Sequence, residues 1–273
     1  MDGLLVKEKN TFSKLTLLAI ESAIHAGKIL KEGYGSTFEI KSKEGHHNLV
    51  TEYDHKSEAA IIQFLKKEIP ESTFLAEESG FMGKKKDPML WIIDPLDGTV
   101  NFAHHIPFFS ISIALEQNGT IQTGVVFQPI TQELFVAEKG KGSYLNGKKI
   151  HVSPISSLNE SILATGFPYN LAENPFHCID HFLDILRAGI PIRRMGSAAL
   201  DFAYTAAGRF EGFFEVALSP WDCAAGKLLV EEAGGIVTSW DGSILDIHSR
   251  KPILASNNQI HRETLNLLNR TTL

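Results

Sequence analysis

The chain has 273 residues, 43% hydrophobic and 21% charged, and its 32 acids against 26 bases give a formal charge of −6. This length buries roughly three quarters of the surface that the unfolded chain exposes, so no staple is needed to fold it. The composition excludes disorder, collagen and coiled coil as the main state, and the acid excess argues against a protein built to coat nucleic acid. Cys178 and Cys223 are too few for a disulfide framework, and no CxxC or Cys/His cluster points to zinc. The opening MDGLLVKEKN lacks the apolar core of a signal peptide, and no apolar run approaches the ~18 residues of a membrane span. The expected setting is therefore cytoplasmic, with reduced thiols.

In chain order, Phe12, Leu15, Leu18, Ile24, Ile29 and Leu30 recur at helical spacing and predict a helix over 12–32 that ends near Gly33. A second helix follows Asp54 and stops at Pro70. Thr73 to Ala76 reads as a short strand running into Glu77 and Glu78, and Gly83 to Pro88, with its three lysines, as a solvated connection. Met89 to Ile93 reads as a buried strand ending at Asp94. Residues 108–152 read as an antiparallel meander with turns at Asn118-Gly119, Gly140-Lys141-Gly142 and Asn146-Gly147. After about residue 153 strands alternate with helices. Strands are expected at 161–165, 212–217, 235–239 and 252–255, and helices at 176–188, 197–207, 222–233 and 258–269. The reading is an N-terminal α+β half, residues 1–153, followed by an α/β half, residues 154–273, with no flexible linker.

The chemistry-bearing stretch is Asp94-Pro95-Leu96-Asp97-Gly98-Thr99. Pro95 and Gly98 fold the chain so that Asp97 returns toward Asp94 and the Leu96 carbonyl turns outward. Two carboxylates and a carbonyl in one turn suit a hard cation such as Mg²⁺. Gly98 and Thr99 open a short helix whose free N–H groups suit a phosphate. Taken alone, the same residues are simply good turn formers. Of Glu77 and Glu78, neighbours in a strand point to opposite faces, so one of them, Glu77, is assigned to the metal site. Asp222, after Pro220-Trp221, reads either as a helix N-cap or as a further carboxylate for the metal. Asp54 and Thr51 read equally well as caps of the second helix.

Together these segments resemble the inositol monophosphatase family, within the Mg²⁺-dependent, lithium-sensitive sugar phosphatases. The resemblance is carried by Leu49-Val50-Thr51-Glu52-Tyr53-Asp54, Ala76-Glu77-Glu78-Ser79 and Trp91 to Thr99 with Asn101-Phe102. Gly196-Ser197-Ala198-Ala199, Trp221-Asp222 with Ala225-Gly226, and Glu231 to Gly235 continue it to the C-terminus in the family's order. The resemblance implies a layered αβαβα sandwich of the sugar phosphatase type, with an antiparallel sheet in the N-terminal half and a mixed sheet in the C-terminal half. It implies two or three Mg²⁺ per subunit. Glu77, Asp94 and the Leu96 carbonyl match the ligands of the first ion, and Asp94, Asp97 and Asp222 those of the second. Glu77 also faces a weaker third ion, near which Lys43 matches a loop lysine. Thr99 and Asp54 match the pair that orients and deprotonates the attacking water, and the amides of Gly98 and Thr99 hold the phosphate. Gly196, Ser197, Ala198 and Glu215 match the contacts to the alcohol part of the substrate.

The implied activity is hydrolysis of a phosphate monoester, foremost inositol monophosphate, by direct in-line attack of a metal-activated water. Fructose 1,6-bisphosphate, histidinol phosphate, 3′-phosphoadenosine 5′-phosphate and NADP are the relatives' other substrates. Homodimers are common in the family. Some bacterial relatives also bind transcription complexes, a role here placed second to catalysis. Asn48 and His46-His47 depart from the family's usual loop, and Ser197 stands where some relatives have Thr, which keeps the hydroxyl.

Overall fold

In the computed structural model, which describes residues 11–42, 49–84 and 87–269, helix α1 spans Lys14–Gly33. Ser13 caps it, its hydroxyl accepting from the Thr16 amide at 3.4 Å. A two-stranded ribbon, β1 Ile40–Ser42 and β2 Leu49–Thr51, leads into α2, Glu52–Glu68. That helix starts before Asp54 rather than after it, because Thr51 is its cap. Strands β3 Thr73–Ala76, β4 Gly80–Met82 and β5 Met89–Asp97 follow, then the short helix α3, Thr99–Ala103. The expected meander is present as β6 Ser110–Gln117, β7 Thr120–Gln128, β8 Glu133–Glu138, β9 Gly142–Leu145 and β10 Lys148–Ile150.

The second half supplies β11 Leu163–Thr165, α4 Cys178–Arg187, β12 Ile192–Arg193, α5 Ala198–Ala206 and β13 Gly212–Glu215. It ends with α6 Pro220–Glu232, β14 Ile236–Ser239, β15 Ile253–Ser256 and α7 His261–Leu268. The last helix starts three residues later than its periodicity suggests. The Asn257 side chain accepts from the amides of Gln259 and Ile260 and holds 258–260 as a turn.

Strands β10-β9-β8-β7-β6-β5-β3-β4 form an eight-stranded sheet, and β12-β11-β13-β15-β14 a five-stranded one. The larger sheet is antiparallel except at β3–β5, which run parallel because β4 hairpins to the outer side of β3 before the chain crosses back. The smaller sheet is mixed. Along β5 the side chains alternate between two buried faces. Trp91 and Ile93 pack toward α1 and α2, whereas Ile92 packs with Leu200 and Phe202 of α5 and Ala224 and Leu228 of α6. The same core reaches Phe213 and Ala255 of the smaller sheet, whose other face packs Leu254 against Ile185 of α4 and Leu267 of α7. The layers thus run helix, sheet, helix, sheet, helix, as expected of the αβαβα sandwich. Among the described residues no helix is long and apolar enough to cross a membrane.

Candidate active site

Strand β5 does not stop at Asp94. Asp94 pairs with Ser112 and Asp97 with Ser110, and the register shifts between them. The sheet therefore carries the whole Asp-Pro-Leu-Asp segment, with the irregularity at Pro95-Leu96, where proline has no N–H to give a ladder. The Leu96 amide instead donates to Asp94 Oδ1 at 3.0 Å, and Ser57 of α2 donates to the Pro95 carbonyl at 2.7 Å. Gly98 follows at φ +96°, and a Cβ there would stand 3.1 Å from the carbonyl oxygens of both Gly196 and Phe108. Both conformation and space demand glycine at this turn.

Thr99, the first residue of α3, donates to Asp54 Oδ1 at 2.9 Å and lies 3.1 Å from the Leu96 carbonyl. Asp54 Oδ2 accepts from the amide and the hydroxyl of Thr51, each at 2.7 Å. The two candidate caps of α2 therefore act together: Thr51 is the cap and Asp54 the third-position carboxylate of a capping box. Asp54 keeps one oxygen for Thr99, 45 residues away. Burial pushes its carboxyl up, its hydrogen bonds from Thr51 and Thr99 oppose the rise, and the charge of Glu78 adds to it.

Glu77 and Glu78 leave β3 and part company. Glu58 of α2 fixes this corner, accepting from the Glu78 amide at 2.9 Å and from the Ser79 hydroxyl, and the Glu77 amide donates to Ile93 at 3.1 Å. Glu77 acts electrostatically on Asp94 and Asp222, whereas Glu78 acts on Asp54. Asp222 is not an N-cap. Ser219 occupies that position, and Asp222, at the third position of α6, accepts from the Ser219 amide at 2.7 Å. Asp97 is held at the start of α5 by the amides of Ala199 at 2.8 Å and Ala198 at 3.3 Å and by the Ser197 hydroxyl.

Burial, then the charges of Glu77, Asp97 and Asp222, raise the Asp94 carboxyl well above the usual range. Burial raises Asp222 in the same way, with Glu77 and Asp97 adding to it and Arg250 opposing. Burial lifts Asp97 to about 6 against its hydrogen bonds from Ser197, Ala199 and Ala198. Like charges thus face one another out of water, an arrangement that a cation stabilises. Among the described residues no group of three or more His, Cys, Asp or Glu side chains stands so as to hold a metal ion by itself, and the Leu96 carbonyl is the further oxygen beside Asp94 and Asp97. An open set of oxygen donors fits Mg²⁺, which keeps several of its waters, better than zinc, which takes a tight shell of nitrogen and sulfur.

The chain matches the inositol monophosphatase family over residues 12–272. It is 41% identical over 246 residues to an inositol-1-monophosphatase of Synechocystis sp., covering 90% of this chain and 85% of that protein. It is 42% identical over 226 residues to Nus factor SuhB of Escherichia coli K12, covering 82% of this chain and 85% of the relative. The crystal structure of extragenic suppressor protein SuhB from Bartonella henselae superposes with a TM-score of 0.90 at 39% identity, covering 95% of this chain and all of that one. The chain belongs to the inositol monophosphatase family. Its layered fold is the one shared by these structures.

Within this family member, the residues expected around the substrate alcohol fall into two groups. Ser197 and Ala198 hold Asp97 through their own donors, and the Ser197 hydroxyl also caps α5. Glu215, at the end of β13, is half-buried. Burial raises its carboxyl well above the usual range, with the charges of Asp222 and Asp97 adding and Arg194 opposing. Gly196, at φ +87°, abuts the Asn101 side chain. In the sequence Asn101 stands out only as part of a motif, yet its amide donates to the carbonyls of Phe108 at 2.7 Å and Met195 at 2.8 Å and so ties α3 to the start of α5. Glu58 is a positioning residue absent from the sequence reading, and Asn101 is read there only as part of a motif, without this role. Lys43, His46-His47 and Asn48 lie outside the described residues.

Proposed function

We propose that this protein hydrolyses a phosphate monoester of a small polyol in the cytoplasm, with inositol monophosphate the leading substrate and two or three Mg²⁺ per subunit as cofactor. The observation that carries the reading is the Asp54–Thr99 hydrogen bond set beside four mutually repelling carboxylates. Glu77, Asp94 and the Leu96 carbonyl would hold one ion, and Asp94, Asp97 and Asp222 a second, with Glu77 toward a third. Ions held there would supply acidification of a water and charge to offset the phosphate and the leaving alkoxide.

The chain's own groups do the rest. The Thr99 hydroxyl donates a hydrogen bond to Asp54, which leaves a lone pair on Thr99 to accept from the attacking water. Asp54, lifted by burial, is a stronger base than a free aspartate and takes up the proton passed along this pair. Gly98 and Thr99 present amides to the phosphate at the turn that opens α3. Glu215 accepts from hydroxyls of the alcohol through its carboxyl oxygens, and Gly196, Ser197 and Ala198 border that side. No covalent nucleophile is needed. Burial pushes the Cys223 thiol up, so it stays protonated and inert.

The test is phosphate release across inositol, fructose, histidinol, adenosine and NADP phosphates, with Mg²⁺, with EDTA and with added Li⁺. Release that needs Mg²⁺ and prefers inositol monophosphate supports the reading, and release that survives EDTA sinks it. A second reading, a binding role in transcription complexes, draws on the likeness to the Nus factor SuhB. Pull-down with transcription factors, compared between the wild type and Asp94→Asn, separates the two. Equal capture with no activity in the variant shows the binding role to be independent of catalysis. We also propose a homodimer, which sedimentation checks.

A further inference from the structure

Strands β11 and β13 run parallel, with Thr165 opposite Phe214. The buried Thr165 hydroxyl donates to the Phe214 carbonyl at 2.8 Å and rivets the two strand ends together. The next residues along the chain are Gly166, just past β11, and Glu215, the last of β13. Gly166 has no left-handed backbone to account for its glycine. What it has is the Glu215 carboxylate lying against its α-carbon. A Cβ at 166 would stand 2.2 Å and 2.3 Å from the two carboxylate oxygens and 2.4 Å from the carbon between them. Those are its three nearest neighbours, so the conflict is with the tip of one flexible side chain before any other group.

The carboxylate has few other ways to settle. Asp201 on α5 is buried with one oxygen lacking a partner, and its charge and that of Glu215 repel. Asp222 and Asp97 repel Glu215 as well. Arg194 attracts it, so a side chain pushed off Gly166 leaves its place between the acids and is drawn toward Arg194 or solvent. We propose that Gly166 is a specificity-determining position. Its bare α-carbon is the seat that places the Glu215 carboxylate for hydroxyl recognition, and any side chain there shifts the enzyme from polyol phosphates toward phosphate esters without hydroxyls. The inference rests on the reading of Glu215 as the contact to the substrate alcohol.

The experiment is a double-mutant cycle of Gly166→Ala and Glu215→Gln, assayed on inositol 1-phosphate and on p-nitrophenyl phosphate, which has no hydroxyls to recognise. Gly166→Ala is expected to raise KM for inositol 1-phosphate about tenfold with kcat near wild type, and to lower the ratio of kcat/KM between the two substrates by a similar factor. In the Glu215→Gln background the same substitution at 166 should change that ratio little, because the contact is already lost. Thermal melts of Gly166→Ala with and without Glu215→Ala supply the structural arm. The melting loss caused by Gly166→Ala should vanish once residue 215 is shortened, a result that holds even if the single variant folds poorly.

If Glu215→Gln leaves KM for inositol 1-phosphate unchanged, the reading of Glu215 fails and this inference fails with it. If Glu215→Gln raises KM while Gly166→Ala does not, or if the two effects add in full, the seat alone is overturned.

Discussion

Two sets of partly or fully buried acids border the eight-stranded sheet, and they are handled in opposite ways. Glu133 and Glu138 of β8 are given fixed partners. Burial alone would raise both, yet Arg209 and Tyr204 bring Glu133 below the usual carboxylate range, and Lys141, Thr16 and Ser13 do the same for Glu138. Tyr204 donates to Glu133 at 3.0 Å, and Lys141 stands 2.7 Å from Glu138. Asp94, Asp97 and Asp222 face acids instead, and all three are raised. A carboxylate with a fixed cation is a joint in the structure, whereas carboxylates arranged to repel call for a cation from solution.

The contrast breaks most visibly at Asp94. Asp94→Asn should lower phosphate release about a thousandfold or more, the scale of removing several kcal/mol of metal-based stabilisation. It should also raise the melting temperature of the metal-free protein, because one of the repelling charges is gone. A variant that melts lower in EDTA would show that the repulsion is not the dominant local term. Glu133→Gln should do the reverse, keeping phosphate release near wild type while a denaturant melt loses about 1–2 kcal/mol.

The pH dependence sharpens the comparison. Asp97 titrates near 6 when folded, above its unfolded value of 3.8, so it favours the metal-free fold increasingly as pH falls through 6. Glu133 and Glu138, lowered by their partners, contribute stability that is lost only at more acid pH, below the unfolded value of 4.5. The melting increment given by Mg²⁺ should therefore shrink between about pH 7.5 and about pH 5.5, as protons compete for the raised acids. An increment independent of pH would contradict the metal set. The smallest effect is a slope. His261 is held neutral by burial, with its titration lowered from 6.5 to about 4, and its ring nitrogens lie 2.7 Å from the Ser256 hydroxyl and 3.0 Å from that of Thr238. Its contribution is complete above pH 6.5 and is lost toward pH 4, so His261→Gln should flatten stability over that window in a melt series.

Long periodic elements were legible because burial on one face writes itself into a local pattern. The helix expected over 12–32 is α1, and the meander turns fall where Asn-Gly pairs placed them. Strand β1 was not legible: its three residues are all exposed, so no alternation marks it. The continuation of β5 through Asp97 was hidden because Pro95 reads as a terminator, while the pairing partner Ser110 lies outside any local window. The candidate site was legible where its residues are neighbours, as in Asp94 to Thr99. The contacts that aim those residues were not, since Asn101 reaches Met195 across 94 positions and Glu58 reaches Glu78 across 20. A capping box and a long-range acceptor share one residue at Asp54, and only the second of these escapes a sequence pattern.

The middle layer carries one more consequence. Helices α5 and α6 are capped by Ser197 and Ser219, and each start faces a carboxylate of the site, Asp97 for one and Asp222 for the other. The first turn of a helix carries about half a positive charge on its amides. Part of the acids' charge is therefore answered by backbone dipoles, which neither titrate nor diffuse away. That part of the balance is permanent: it leaves less charge for a cation to offset than bare carboxylates would, and it keeps the two acids fixed whether or not an ion is bound.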